Sequence, residues 1–178
     1  MKRLATVLAG LGLVLAIAPP ALSGAAADTA DTSLPINPAT QLEMHTRVDC
    51  QLATKQCTFS TAANLLTDGN VTGFPEDLWG RQSTTLRSSD RLSYFETDIN
   101  GGYFTKRFKS GGSVVLTTLY YADGPPEKYT INGTITPVDW ATGLPKTDGD
   151  VIVCAHVQVV YTGVNITSPD TCAQTTFS

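Results

Sequence analysis

Residues 151–161 read VIVCAHVQVVY, and their spacing decides the fold. Val151, Val153, Ala155, Val157, Val159 and Tyr161 fall on one side of an extended chain, while Ile152, Cys154, His156, Gln158 and Val160 fall on the other. A period of two, with one apolar face and one mixed face, is the pattern of a half-buried antiparallel strand. Its many β-branched side chains are stiff and pack well on a pleated surface.

The same signal recurs on both sides of this stretch. Downstream, Ser168-Pro169-Asp170 marks a turn, and Cys172 to Phe177 returns as a short strand. Upstream, 137–150 reads as a loop, and Val114–Tyr121 as an apolar, β-branched and aromatic strand. Asn100-Gly101-Gly102 and Ser110-Gly111-Gly112 are turn signals, so 93–136 is expected to form a meander of four strands. Residues 46–50 and 57–60 suggest a hairpin. Residues 60–73 are open between a helical turn and an irregular edge. Pro75 to Gly80 suggests a short helix or 3₁₀ turn, with proline first, acids in the first turn and a glycine stop. About eight strands and no long helical period predict an all-β fold, an antiparallel β-sandwich or a small antiparallel barrel with at most short helical turns.

The ends of the chain carry different chemistry. Lys2-Arg3, an apolar run to Ala18, Pro19-Pro20 and Ala25-Ala26-Ala27 have the three-part anatomy of a signal peptide over 1–27, with a small-residue cleavage site. Residues 28–41 are polar and proline-bearing and are expected to form a flexible tether, followed by a single all-β domain over 42–178. The full chain is formally −4, and loss of Lys2 and Arg3 with the leader makes it −6. That acidity argues against nucleic acid as a partner. No second apolar segment is long enough to span a membrane after cleavage.

Cys50, Cys57, Cys154 and Cys172 all follow the leader. An even count in an exported chain reads as two disulfides. Short loops close at low entropic cost, which favours Cys50–Cys57 and Cys154–Cys172. The cysteine spacings do not suit zinc, and His45 and His156 form no metal-binding pattern, so neither a metal nor another cofactor is expected.

Gly-x-Ser-x-Gly, phosphate-loop and His-Glu-x-x-His motifs are absent from the sequence, and no catalytic residue is assigned. His156 has Asp170 as a conceivable partner if the second disulfide forms. Glu96 and Asp98 share a strand face, most simply as solvated charges opposite Lys106 and Arg107. The one compositional concentration is basic and aromatic. Arg81, Arg87, Arg91, Lys106, Arg107 and Lys109 fall within 81–109, among Trp79, Tyr94, Phe95, Tyr103, Phe104 and Phe108. Phe104, Lys106 and Phe108 alternate onto one face, so part of this aromatic set is expected in the core. Trp79, Arg81, Tyr103 and Arg107 are the candidate ligand contacts, for an acidic glycan or an acidic protein patch.

In size and cysteine count the chain resembles the small secreted sandwiches of actinomycetes, such as chromoprotein-antibiotic carriers and subtilisin inhibitors. That resemblance rests on no motif and implies the sandwich alone. The expected function is non-enzymatic binding of an extracellular or cell-surface ligand by a secreted bacterial protein. The alternatives are a secreted hydrolase with a dispersed site and a structural envelope component.

Overall fold

The computed structural model describes residues 27–178 except Tyr103; the expected leader, apart from Ala27, lies outside the described residues. In chain order the strands are β1 (Ala27–Asn37), β2 (Thr40–Gln51), β3 (Gln56–Thr67), β4 (Asn70–Thr72), β5 (Trp79–Ser88), β6 (Ser93–Asn100), β7 (Thr105–Ser110), β8 (Ser113–Tyr121), β9 (Thr130–Asp139), β10 (Val151–Tyr161), β11 (Val164–Thr167) and β12 (Thr171–Thr175). One 3₁₀ helix is found among the described residues, Pro126–Tyr129, just before β9. Sheet one runs β1-β2-β3-β9-β6, with β4 on the end of β3. Sheet two runs β11-β10-β5-β8-β7, with β12 sharing an edge of β10. All pairings are antiparallel, and the two sheets stack as a sandwich.

The expected strand at 151–161 forms as read. Val151, Val153, Ala155, Val157 and Val159 are buried; of the alternate residues Ile152 is buried too, and Cys154, His156, Gln158 and Val160 are half-buried. Three other expectations are corrected. Residues 28–37 are no tether, because β1 pairs with β2 from Ala27↔Asp49 to Asn37↔Thr40. Ala30, Leu34 and Ile36 lean on the core while Asp31 and Ser33 face out. Pro35 is tolerated because β1 is an edge strand with one unpaired side. The meander over 93–136 does not form: β6 joins β9 in sheet one, whereas β7 and β8 pair in sheet two. The Asn100-Gly101-Gly102 signal therefore marks a crossing between sheets. The helical alternative for 60–66 also fails, because β3 continues to Thr67. The turn expected from Pro75 forms as a single i→i+3 turn, closed by Leu78 N–H donating to Pro75 O at 3.1 Å, and does not extend into a helix.

The interior has two apolar clusters. One gathers Val48, Phe59, Leu86, Phe95, Leu116 and Ile131, among others; the second gathers Leu42, Met44, Phe74, Leu78, Tyr129 and Val157. Between them lies a buried polar belt. Gln82 Nε2 donates to Thr61 O at 3.1 Å and to Thr61 Oγ1 at 2.8 Å, joining the sheets. Thr61 Oγ1 also lies 2.9 Å from Thr84 Oγ1, and Tyr120 Oη donates to Gln82 Oε1 at 3.2 Å. Buried polar groups are costly unless paired in this way.

Both disulfides form as expected. Cys50 and Cys57 face each other across β2 and β3 with Cα atoms 3.9 Å apart, fully buried in the first cluster. Cys154 and Cys172 face each other across β10 and β12 at 4.0 Å, on the outer surface. No free cysteine remains among the described residues. The rims are closed by side chains. Thr32 Oγ1 lies 2.6 Å from Thr171 Oγ1 at the β1/β12 rim, and Arg107 donates to Thr97 at the β6/β7 rim.

Candidate functional site

The two sheets differ in charge. The strands of sheet one carry Asp28, Asp31, Glu43, Asp49, Glu96, Asp98 and Asp139 against Arg47 alone, a formal −6. The strands of sheet two carry Arg81, Arg87, Lys106, Arg107 and Lys109 and no carboxylate, a formal +5. A net-acidic chain thus concentrates its cations on one side.

The outer face of sheet two is built in rows by the strand registers. Gln158, Arg81 and Leu119 lie abreast on β10, β5 and β8. His156, Ser83, Thr117 and Lys106 form the next row, and Cys154, Thr85, Val115 and Phe108 the one after. Arg87 stands opposite Ser113, and Trp79 opposite Tyr121. Among the described residues, Arg81, Arg87 and Lys106 make no ion pair with a carboxylate. Phe104 is 53% exposed and Phe108 59%. With Lys106, Thr117 and Leu119 they line a groove of about 360 Å³. Phe104 also meets Tyr121 edge-on, with ring centroids 5.5 Å apart.

Trp79 and Arg81 therefore lie on this face, side by side with exposed aromatic groups. Arg107 does not. On β7 it alternates with Lys106, points to the rim, and its Nη1 donates to Thr97 O at 3.1 Å and Thr97 Oγ1 at 2.8 Å. Tyr103 lies outside the described residues. Phe104 and Phe108 were grouped with Lys106 by the sequence, and the whole row faces solvent. Phe95 supplies the buried ring. The expected pairing of Glu96 and Asp98 with Lys106 and Arg107 is absent among the described residues, since β6 and β7 belong to different sheets.

Two histidine–aspartate pairs stand on the outer faces. His156 Nδ1 lies 2.7 Å from Asp170 Oδ1, with side chains 37% and 67% exposed. Ser83 is its cross-strand neighbour, but no hydrogen bond joins the Ser83 hydroxyl to the ring. A nucleophile and its base need contact of about 2.6–3.2 Å, looser in unliganded enzymes. His45 is held at both nitrogens, by Asp31 Oδ1 at 2.6 Å and Asn64 Oδ1 at 2.8 Å, which occupies both sites that base catalysis would use. No grouping of three or more metal-ligating side chains occurs among the described residues. Nor is any described helix long and apolar enough to cross a membrane.

Compared with known proteins, the chain matches no family model and no curated sequence.

Proposed function

We propose that this chain is an exported, non-enzymatic bacterial binding protein of the cell exterior, which holds an acidic ligand against the outer face of sheet two. The observation that carries this reading is the charge partition: unpaired Arg81, Arg87 and Lys106 beside exposed Phe104 and Phe108 and half-buried Trp79, on a sheet whose strands lack carboxylates. Guanidinium and ammonium groups next to exposed rings suit an anionic partner with apolar faces. Arg81 and Arg87 are six residues apart on one strand, hence about 20 Å, too far to share one carboxylate. Cations so spaced fit a repeating polyanion, and an acidic glycan is favoured over an acidic protein patch. Two closed disulfides suit the oxidising compartment that the leader predicts.

The test is retention on immobilised polygalacturonate and on dextran sulfate. The triple variant Arg81→Glu/Arg87→Glu/Lys106→Glu should elute at much lower salt than the parent, and Arg47→Glu, on sheet one, should elute with it. Equal retention of the triple variant overturns the proposal. The alternative, a hydrolase, would rest on the alignment of Ser83, His156 and Asp170. Covalent labelling of Ser83 by a fluorophosphonate would favour it. A structural envelope role would show instead as self-association without retention on either column.

A further inference from the structure

A second aromatic feature lies away from the outer face of sheet two, at one end of the sandwich. Tyr94, Phe95, Lys109, Gly111, Gly112, Ser113, Val114 and Trp140 line a cleft of about 200 Å³. The indole of Trp140 leans on Tyr94, with ring centroids 4.9 Å apart and planes at 52°. A ring that merely capped the core would be buried, yet Trp140 is 60% exposed.

The loop that presents it is locked by its own hydrogen bonds. Asp139 Oδ1 accepts from Ala141 N–H at 2.9 Å, Thr142 N–H at 2.8 Å and the Thr142 hydroxyl at 3.1 Å. Trp140 N–H donates to Leu92 O at 3.2 Å, and Asp139 N–H to Leu144 O at 2.9 Å. The indole is thus held in place before any ligand arrives, which lowers the ordering cost of binding. Opposite it, the β7–β8 turn brings two glycines with positive φ, Gly111 and Gly112, and keeps the cleft wall low. A Cβ on Gly112 would come within 2.9 Å of Ser93 O. Lys109 has no carboxylate partner among the described residues, and Arg91 Nη1 donates to Ser113 Oγ at 2.8 Å on the same wall.

We propose that this cleft is a subsite for one acidic sugar ring, a uronate, whose C–H face stacks on Trp140 and whose carboxylate meets Lys109. The volume lies below the 300–1,000 Å³ of drug-sized ligand pockets, so it takes a single ring. A small aromatic acid would be expected in a site that buries most of its surface. A sugar ring needs one apolar face covered and its hydroxyls left in water, which an open cleft with an exposed indole supplies. The site does not depend on Arg81, Arg87 or Lys106.

The test is titration of the full-length secreted protein with tetragalacturonate, tetramannuronate, the methyl ester of the former, and benzoate. Binding is read by isothermal calorimetry and by Trp140 fluorescence in a Trp79→Phe background. At least one free acid should bind and perturb Trp140. Trp140→Ala should weaken that binding about tenfold or more, as loss of an aromatic anchor does, with Trp140→Phe retaining most of it. Lys109→Gln should erase the preference for acid over ester. The triple charge-reversal variant of sheet two should keep this binding, which separates failure here from failure of the proposed function. Absence of binding by both acids, unchanged affinity in a folded Trp140→Ala variant, or preference for benzoate over the oligosaccharides overturns the proposal.

Discussion

Gln82 offers the sharpest test of the core. Its side chain is fully buried and links both sheets, donating twice to Thr61 of β3 and accepting from Tyr120 of β8. Gln82→Leu nearly conserves volume and removes all three bonds. Thr61 Oγ1 keeps Thr84 as a partner, but the Tyr120 hydroxyl keeps none among the bonds of the belt. Burial pushes the Tyr120 phenol upward in pKa, so it remains a neutral donor at working pH. An orphaned buried donor costs about 1–3 kcal/mol, and the two bonds to Thr61 add about 0.5–1.5 kcal/mol each. The expected loss is about 2–6 kcal/mol, or a fall in Tm of about 4–24 °C for a domain of this size. Tyr120→Phe alone leaves the Gln82 carbonyl oxygen unsatisfied and should cost about 1–3 kcal/mol. In the double variant neither orphan exists, so the two effects should fall short of additive by about 1–2 kcal/mol. Urea denaturation at pH 7 with disulfides intact measures the cycle. Additivity within about 0.3 kcal/mol, or a loss below about 0.5 kcal/mol for Gln82→Leu, would refute a belt that holds the sheets in register.

The two disulfides should separate under mild reductant. Cys172 is exposed and Cys50 and Cys57 are not, so mass spectrometry after timed alkylation should find the 154 and 172 thiols first; simultaneous labelling would contradict the assigned burial. Loop-closure entropy gives about 2.5 kcal/mol for the seven-residue separation and about 3.2 for the eighteen-residue one. Replacing the buried pair by alanines also leaves a cavity, so its removal should nevertheless be the more damaging. The backbone N–H of Thr142, foremost, holds the Asp139 carboxyl below the usual carboxylate range. A lowered folded pKa contributes order that is present above about pH 4 and lost as pH falls through the lowered value. Trp140 emission should therefore stay constant from pH 8 down to about 4 and change only below it. Asp139→Ala should show the altered emission already at pH 7. Amides of β1 that face β2 should resist hydrogen exchange, whereas free-chain rates there would restore the tether.

Sequence reading succeeded where one pattern had one outcome. The 151–161 alternation fixes a strand whatever surrounds it, and cysteines seven and eighteen apart close hairpins that local pairing already favours. It failed where the deciding partner is distant. Thr29 to Ser33 carry weak polarity contrast, so β1 becomes visible only beside β2. Asn100-Gly101-Gly102 announces a change of direction but not of sheet, since both outcomes use the same turn chemistry. Alternation placed Phe104, Lys106 and Phe108 together without saying which side is inside. The basic concentration at 81–109 was legible; the matching lack of carboxylates appears once β10, β11 and β12 are known to lie in the same sheet. Nothing in the Pro137–Asp150 composition distinguishes a loop that buries Trp140 from one that displays it.

The opposed charges of the sheets make the molecule an oriented plate. Stacked sheets lie about 10 Å apart, and the Debye length at physiological salt is about 8 Å. A body approaching either broad side therefore feels mainly the nearer sheet, and the net charge of −4 describes neither encounter. Against a wall of fixed negative charge the protein would settle with β5 and β8 downward and turn its Asp- and Glu-bearing strands to the medium. The same polarity would let it adhere to cation- and anion-exchange resins alike, from opposite sides, in one buffer.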